Sequence, residues 1–163
     1  MRRIFALLVF ALGGPAAAGD SVAFLGITLL DSSLQTAELG QNPAERTRLQ
    51  LIEDLVAERF TAEGYTLLDL APVQADLDRV VNPAKCYGCD ARMAKKLGAD
   101  FVLVGEVQKV SNLILTMNLQ LRDPETGQTV KGRVVDIRSN TDDSWLRGMR
   151  YILKTAFFKG EEK

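Results

Sequence analysis

Asn112-Leu113-Ile114-Leu115-Thr116-Met117-Asn118-Leu119-Gln120-Leu121-Arg122 alternates apolar and polar side chains with one interruption, at Ile114. Successive side chains of a strand point to opposite faces, so this stretch predicts a strand with Leu113, Leu115, Met117, Leu119 and Leu121 on a core and the other face near water. Asp123-Pro124-Glu125-Thr126-Gly127 places Pro and Gly where a turn uses them. Thr129 to Arg138 then returns as the last strand. Phe101 to Val104, just upstream, is wholly apolar and reads as a central strand. Together these three strands predict an antiparallel meander.

Outward from that meander the pattern changes. Ser21 to Leu30 is a first strand running into the polar Asp31-Ser32-Ser33 segment, and a loop is expected from there to Pro43. From Ala44, Leu49, Ile52, Val56 and Phe60 recur at helical spacing, with Glu45, Arg46, Arg48, Glu53 and Glu58 placed largely outside the stripe. Pro43 suits the first helical position and Gly64 the residue past the end. Tyr65 to Leu70 reads as a second strand, parallel to the first. Pro72 and Pro83 bracket one or two helical turns around Gln74 to Val81, and Asp90 to Leu97 is a short helix closed by Gly98. Asn140 or Thr141 caps a final helix that carries Asp142 and Asp143 in its first turn and Trp145, Met149, Ile152, Leu153 and Ala156 on its buried stripe. The whole predicts a single α/β domain on a mixed β-sheet of about five strands, with the C-terminal antiparallel meander and helices packed on it.

The N-terminus reads as an export signal. Met1-Arg2-Arg3 is basic, Ile4 to Leu12 is apolar and uncharged, and Ala16-Ala17-Ala18 offers the small residues a signal peptidase accepts. A cleaved peptide over residues 1–18, a domain over 19–158 and a disordered tail over 159–163 are expected. An apolar run this short falls well under the roughly 20 residues a membrane span needs, so no membrane anchor is predicted. Arg2-Arg3 leaves open both the general and the twin-arginine export routes. Taking Arg2 and Arg3 from the 20 basic residues leaves 18 against 21 acidic ones, scattered along the chain, which argues against a nucleic-acid partner.

Histidine is absent from the chain. Its absence removes Ser-His-Asp and Cys-His nucleophile systems, histidine metal ligands and the usual general base near neutral pH. Cys86-Tyr87-Gly88-Cys89 is followed by Asp90, so it is not a haem-attachment motif. The pair admits three readings: a structural disulfide formed in an oxidising compartment, a redox pair activated by a helix N-terminus, or metal capture by two thiolates with Met93 near. Neither a resident cofactor nor a metal site is expected.

Asp136, Asn140, Asp142 and Asp143 have oxygen ligands but lack the spacing of a calcium loop, so helix capping competes with cation binding there. Asp31, Ser32 and Ser33 follow the first strand, where open α/β sheets bind ligands, although a plain polar loop is the reading the residues favour. Trp145 and Tyr151 are candidates for a partner surface, with core packing the competing role for Trp145. The candidate ligand or partner contacts are therefore Asp31, Ser32, Ser33, Asn140, Asp142, Asp143 and Trp145.

Leu97-Gly98-Ala99-Asp100-Phe101-Val102-Leu103-Val104-Gly105-Glu106-Val107-Gln108-Lys109-Val110-Ser111-Asn112-Leu113-Ile114-Leu115, with Asp136-Ile137-Arg138-Ser139-Asn140-Thr141-Asp142-Asp143-Ser144-Trp145 and the Cys-x-x-Cys before them, resembles a family of small secreted proteobacterial proteins of unknown function. More distantly the order of Leu-Gly-Ala-Asp, strand, Gly, strand, Asp-x-x-Thr-Gly and strand is similar to the N-terminal domain of TolB and to CsgG-type envelope proteins. The resemblance implies a TolB-like α/β fold, a periplasmic location and a non-catalytic accessory, assembly or ligand-binding role with another periplasmic or envelope protein as partner. It also implies a link to periplasmic quinoprotein alcohol-oxidation systems. The competing function is a thiol-disulfide oxidoreductase or thiol metal carrier acting through Cys86 and Cys89.

Overall fold

The computed structural model describes residues 19–159. The expected signal peptide, residues 1–18, and residues 160–163 of the expected tail lie outside them. Five strands form one sheet: β1 (Ser21–Asp31), β2 (Thr66–Leu67), β3 (Phe101–Lys109), β4 (Ile114–Arg122) and β5 (Thr129–Arg138), in the order β2-β1-β3-β4-β5. β1 is parallel to both β2 and β3, and β3, β4 and β5 are antiparallel. The mixed sheet, the meander and the central place of β3 agree with the sequence reading.

The alternation in β4 does what its period requires. Leu115, Met117, Leu119 and Leu121 are sealed from water, while Thr116, Asn118, Gln120 and Arg122 face the other way. Leu113 departs from the expectation: it precedes the strand and is 69% exposed, because the chain is still turning through Ser111–Asn112 before pairing begins.

Helices cover the sheet unevenly. α2 (Pro43–Ala62) and α5 (Asp142–Ile152), the latter continued by a π-helical turn over Leu153–Phe157, pack on one face through Ile52, Val56, Phe60, Trp145, Met149 and Ile152. Burying such a side chain fully contributes about 1.5–3 kcal/mol. α3 (Gln74–Leu77) and α4 (Cys89–Leu97) cover the other face over β1 and β3, where Met93 and Ala94 meet Ala23, Leu25, Val102 and Val104. Val130 and Val134 of β5 stay exposed.

Three local expectations change. The loop after β1 contains a helical turn and a half, α1 (Leu34–Leu39), because Ser33 accepts the Thr36 N–H as its N-cap. The second strand is reduced to Thr66–Leu67, since the 3-10 turn Ala71–Val73 carries the chain away to the α4 face. The helix expected around Gln74 to Val81 is only α3, with a 3-10 turn at Pro83–Lys85 following. At the C-terminal helix the cap expected at Asn140 or Thr141 is Thr141, which forms a capping box with Ser144.

Gly26 sets the phase of everything after it in β1. Its φ of +89° belongs to a bulge between Phe24 and Ile27, and the Glu53 carboxylate accepts the Ile27 N–H there at 2.7 Å. Before the bulge the even residues Val22 and Phe24 face α2; after it the odd residues Ile27 and Leu29 do. The shift puts Asp31 on the α2 face, in register with Lys109 of β3.

Candidate functional site

The bulge brings Asp31 to a lysine that the sheet has turned inward. Lys109 follows Leu103 and Val107 on the α2 face of β3 and is 1% exposed. A buried ammonium is costly unless its hydrogens are all used. Here it donates to Glu45 Oε1 at 2.6 Å, Asp31 Oδ2 at 3.1 Å and Thr36 Oγ1 at 3.2 Å. Asp31 Oδ1 in turn accepts the Ser33 hydroxyl at 2.6 Å and the Ser33 N–H at 2.9 Å. Burial disfavours the Asp31 charge, but the bonds from Ser33, Thr36 and Lys109 outweigh it and hold the carboxyl at about 2. Burial also opposes the Lys109 charge, and the Glu45 and Asp31 carboxylates overcome it, raising the ammonium above its ordinary value.

Glu45 carries the network to the second candidate segment. Its Oε1 also accepts Asn140 Nδ2 at 2.6 Å. Asn140 Oδ1 accepts the Trp145 indole N–H at 2.9 Å and Arg48 at 3.2 Å, and Arg48 Nε donates to Asp142 at 2.8 Å. Ser32 lies exposed beside them and gives its N–H to the Lys109 carbonyl at 3.0 Å. Of the sequence candidates, Asp31, Ser32, Ser33, Asn140, Asp142 and Trp145 therefore converge. Asp143 does not: it points to solvent and pairs with Arg147 one turn along α5. Trp145 is fully buried, so it anchors the network from the core and offers no partner surface. Tyr151 is half exposed under the Arg133 guanidinium. Asp136 accepts the Thr116 hydroxyl and Asp143 pairs with Arg147, while Asn140 and Asp142 share Arg48, so the four oxygen-bearing residues weighed for a cation are taken up by protein donors.

A cleft of about 970 Å³ opens beside this network. It lies at the carboxyl ends of the parallel strands β1 and β3, where α/β sheets commonly take ligands. Leu29, Leu30 and Asp31 form one wall and Asn42, Arg46 and Leu49 the other. Both carboxylates that reach it, Asp31 and Glu45, share the single Lys109 ammonium, which leaves the trio one negative charge in excess. Beside that trio the walls give apolar surface, hydrogen-bonding groups and one cation, Arg46.

Cys86 and Cys89 sit apart, on the α4 face, and are joined as a disulfide with Cα atoms 5.5 Å apart. Cys86 Sγ accepts the Asp90 N–H at 3.2 Å in the first turn of α4. Arg122 clamps the loop from the sheet, donating to buried Asp90 at 2.6 Å and to the Ala84 carbonyl at 2.9 Å. Tyr87, at the tip, is fully exposed with φ of +54°. Met93 is buried in the apolar cluster beneath. Among the described residues no group of three or more cysteine or acidic side chains is placed to hold a metal ion.

With the site described, comparison with known proteins places the chain. Residues 20–157 match the model of the family DUF3280, described as protein of unknown function (DUF2380). The chain belongs to this family. No curated protein sequence matches it. Among solved structures the fold is similar to the C-terminal domain of LpoB from Salmonella enterica, with 16% identity over 77% of this chain and 87% of that one and a TM-score of 0.51. It is similar also to lipoprotein GNA1162 from Neisseria meningitidis, with 19% identity over 80% of this chain and 90% of that one and a TM-score of 0.51. TolB from Acinetobacter baumannii is more distant, at 10% identity and a TM-score of 0.42, covering 76% of this chain and 24% of that one. The α/β architecture of this family member is thus LpoB-like, and the TolB likeness is the weaker one. Among the described residues no helix is long and apolar enough to cross a membrane.

The sequence reading missed the residues that join the site. Glu45 stands four positions before Leu49 and so extends the buried stripe of α2, although its charge places it outside on composition alone. Lys109 continues the inward alternation of Leu103 and Val107. In both cases the period carries the signal and the residue type hides it.

Proposed function

We propose that this protein is an exported, periplasmic, non-catalytic accessory protein whose cleft between β1 and α2 binds another envelope protein or a small ligand. One observation carries the reading: both carboxylates at the cleft are committed to Lys109, so the walls offer recognition surface and no group poised as a base or nucleophile. The export signal in residues 1–18 supports the location, and the likeness in fold to LpoB and to a lipoprotein supports the envelope setting. A link to periplasmic quinoprotein alcohol oxidation is the finer form of the proposal. Site-specific photo-crosslinking in the native periplasm tests it, with the crosslinker at Gln41 at the cleft mouth and at Lys95 on α4 as the control. Adducts at the mouth and none at Lys95 are expected. No adduct at the mouth, or substrate turnover by the purified protein, overturns it.

A second reading, thiol-disulfide exchange, is favoured by one contact, the Asp90 N–H on Cys86 Sγ at a helix start, which would stabilise a released thiolate. The double Cys86→Ser, Cys89→Ser variant separates the two. Loss of function with an intact fold supports exchange; retained crosslinking supports a structural bond.

A further inference from the structure

β1 has two edges, and only one is fully used. Along β3 it pairs as far as Asp31, whereas β2 pairs with it only at Ser21 and Val22. Beyond that point the outer edge of β1 has no strand beside it among the described residues. Alternate residues of a strand send their main-chain N–H and C=O to opposite edges. Ser32 gives its N–H to Lys109 on the β3 side, so counting back by twos leaves Ile27, Leu29 and Asp31 directed to the outer edge. Ile27 is plugged there by the Glu53 carboxylate. Leu29 and Asp31 have no such plug, and neither the Pro nor the Lys with which exposed edges are usually blunted lies between them.

The cleft runs along this same stretch, with Leu29 and Leu49 giving it apolar ground and Asn42 a polar group. Arg46 stands on the facing wall and has no carboxylate partner among the described residues. A short edge, an apolar floor and an unanswered cation together suit an extended chain bearing an acid. We infer that the occupant of the cleft is an extended segment of a partner protein, added to the outer edge of β1 as a further strand, with a carboxylate of that segment meeting Arg46. This rests on the cleft reading above and names its occupant. In strand addition the main chain supplies affinity and alternate side chains supply selectivity. A second copy of this chain fits less well: its open β5 edge carries Lys131, Arg133 and Arg138 against one acid, Asp136, which is held by the Thr116 hydroxyl, and pairing β1 with β1 would bring two Arg46 side chains together.

The test is selection from a library of ten-residue random peptides on the purified full-length chain. Binders are expected to alternate apolar residues and to carry an acidic one. Binding is expected to slow amide exchange at Leu29 and Asp31 and to be abolished when alternate amides of the peptide are N-methylated. Arg46→Glu is expected to weaken the acidic peptide about tenfold and to favour its lysine-substituted form. An empty selection, binding indifferent to N-methylation, unprotected amides at Leu29 and Asp31, or self-association of the chain overturns strand addition. The crosslinking experiment stays separate: adducts at Gln41 without amide protection would leave the cleft as a binding site and remove only the strand.

Discussion

The Lys109 ammonium lies 2.6 Å from the Glu45 carboxylate, and the two side chains are only 2% and 3% exposed. A pair this dry contributes little net stability when intact, but removing one partner leaves the other charge buried and uncompensated. Lys109→Ala strands both Glu45 and Asp31 and is expected to cost about 3–5 kcal/mol in chemical denaturation. Glu45→Gln keeps an oxygen for Asn140 and Lys109 and is expected to cost less. Equal losses for the two variants would show that the ammonium is not the hub.

Asp31 makes the stability depend on acid. Its carboxyl is held at about 2 in the folded state, below the unfolded value of about 3.9. A depressed folded pKa contributes stability that is present above the unfolded value and is lost as pH falls through the folded one. About 2 kcal/mol is therefore expected to disappear between pH 4 and pH 2. Asp31→Asn should flatten that part of the stability curve. Lys109 works in the opposite sense: its raised pKa keeps its contribution intact up to the unfolded lysine range, with loss only as pH climbs through the folded value.

Two glycines hold geometry that a methyl group would spoil. At Gly148 an added Cβ would lie 2.6 Å from Ile137 Cγ2 and 2.8 Å from Met117 Sδ, so α5 would be lifted from the sheet. Gly148→Ala is expected to cost about 1–3 kcal/mol. Gly26→Ala meets the left-handed φ and lies 3.1 Å from Glu53 Oε1. It is expected to destabilise by about 1–2 kcal/mol and to disturb crosslinking at the cleft, since the bulge phases Asp31. Gly148→Ala should leave the cleft intact once folded.

The Cys86–Cys89 bridge closes a short loop, for which chain entropy predicts about 2 kcal/mol. The double serine variant is expected to lose that much in denaturant and to bind at the cleft unchanged, because the bridge is on the α4 face. Thermal unfolding with and without reductant, together with Gln41 crosslinking, checks both halves.

Export can be read directly from mass. Protein recovered from the periplasm is expected to begin at Gly19, and a mass retaining residues 1–18 would remove the cleaved-signal reading.

How legible the molecule was depended on the range of the interactions. The β4 alternation, the β5 return and the α5 stripe with Trp145, Met149 and Ile152 follow from periods of 2 and 3.6 along the chain. The acidic first turn of α5 and its cap at Thr141 are equally local. β2 was overestimated because Tyr65 to Leu70 is apolar enough for a strand, yet only Thr66 and Leu67 find a neighbour. α1 was missed because its cap, Ser33, is read as well in a loop as in a helix, and none of its own residues is buried.

The sequence alone determined the fold class and marked the two polar segments at Asp31 and Asn140, because periodicity, caps and turns act between residues a few positions apart. Only the tertiary structure decided that these segments meet. Asp31 and Lys109 are 78 positions apart, Glu45 and Lys109 64, and Asn140 and Glu45 95. What joins them is the register of β1 on β3 and the one-residue phase shift at Gly26, which turns a carboxylate toward an inward lysine. A strand's period fixes which residues share a face, but register and bulge fix which face that is, and both are set by partners distant in the chain.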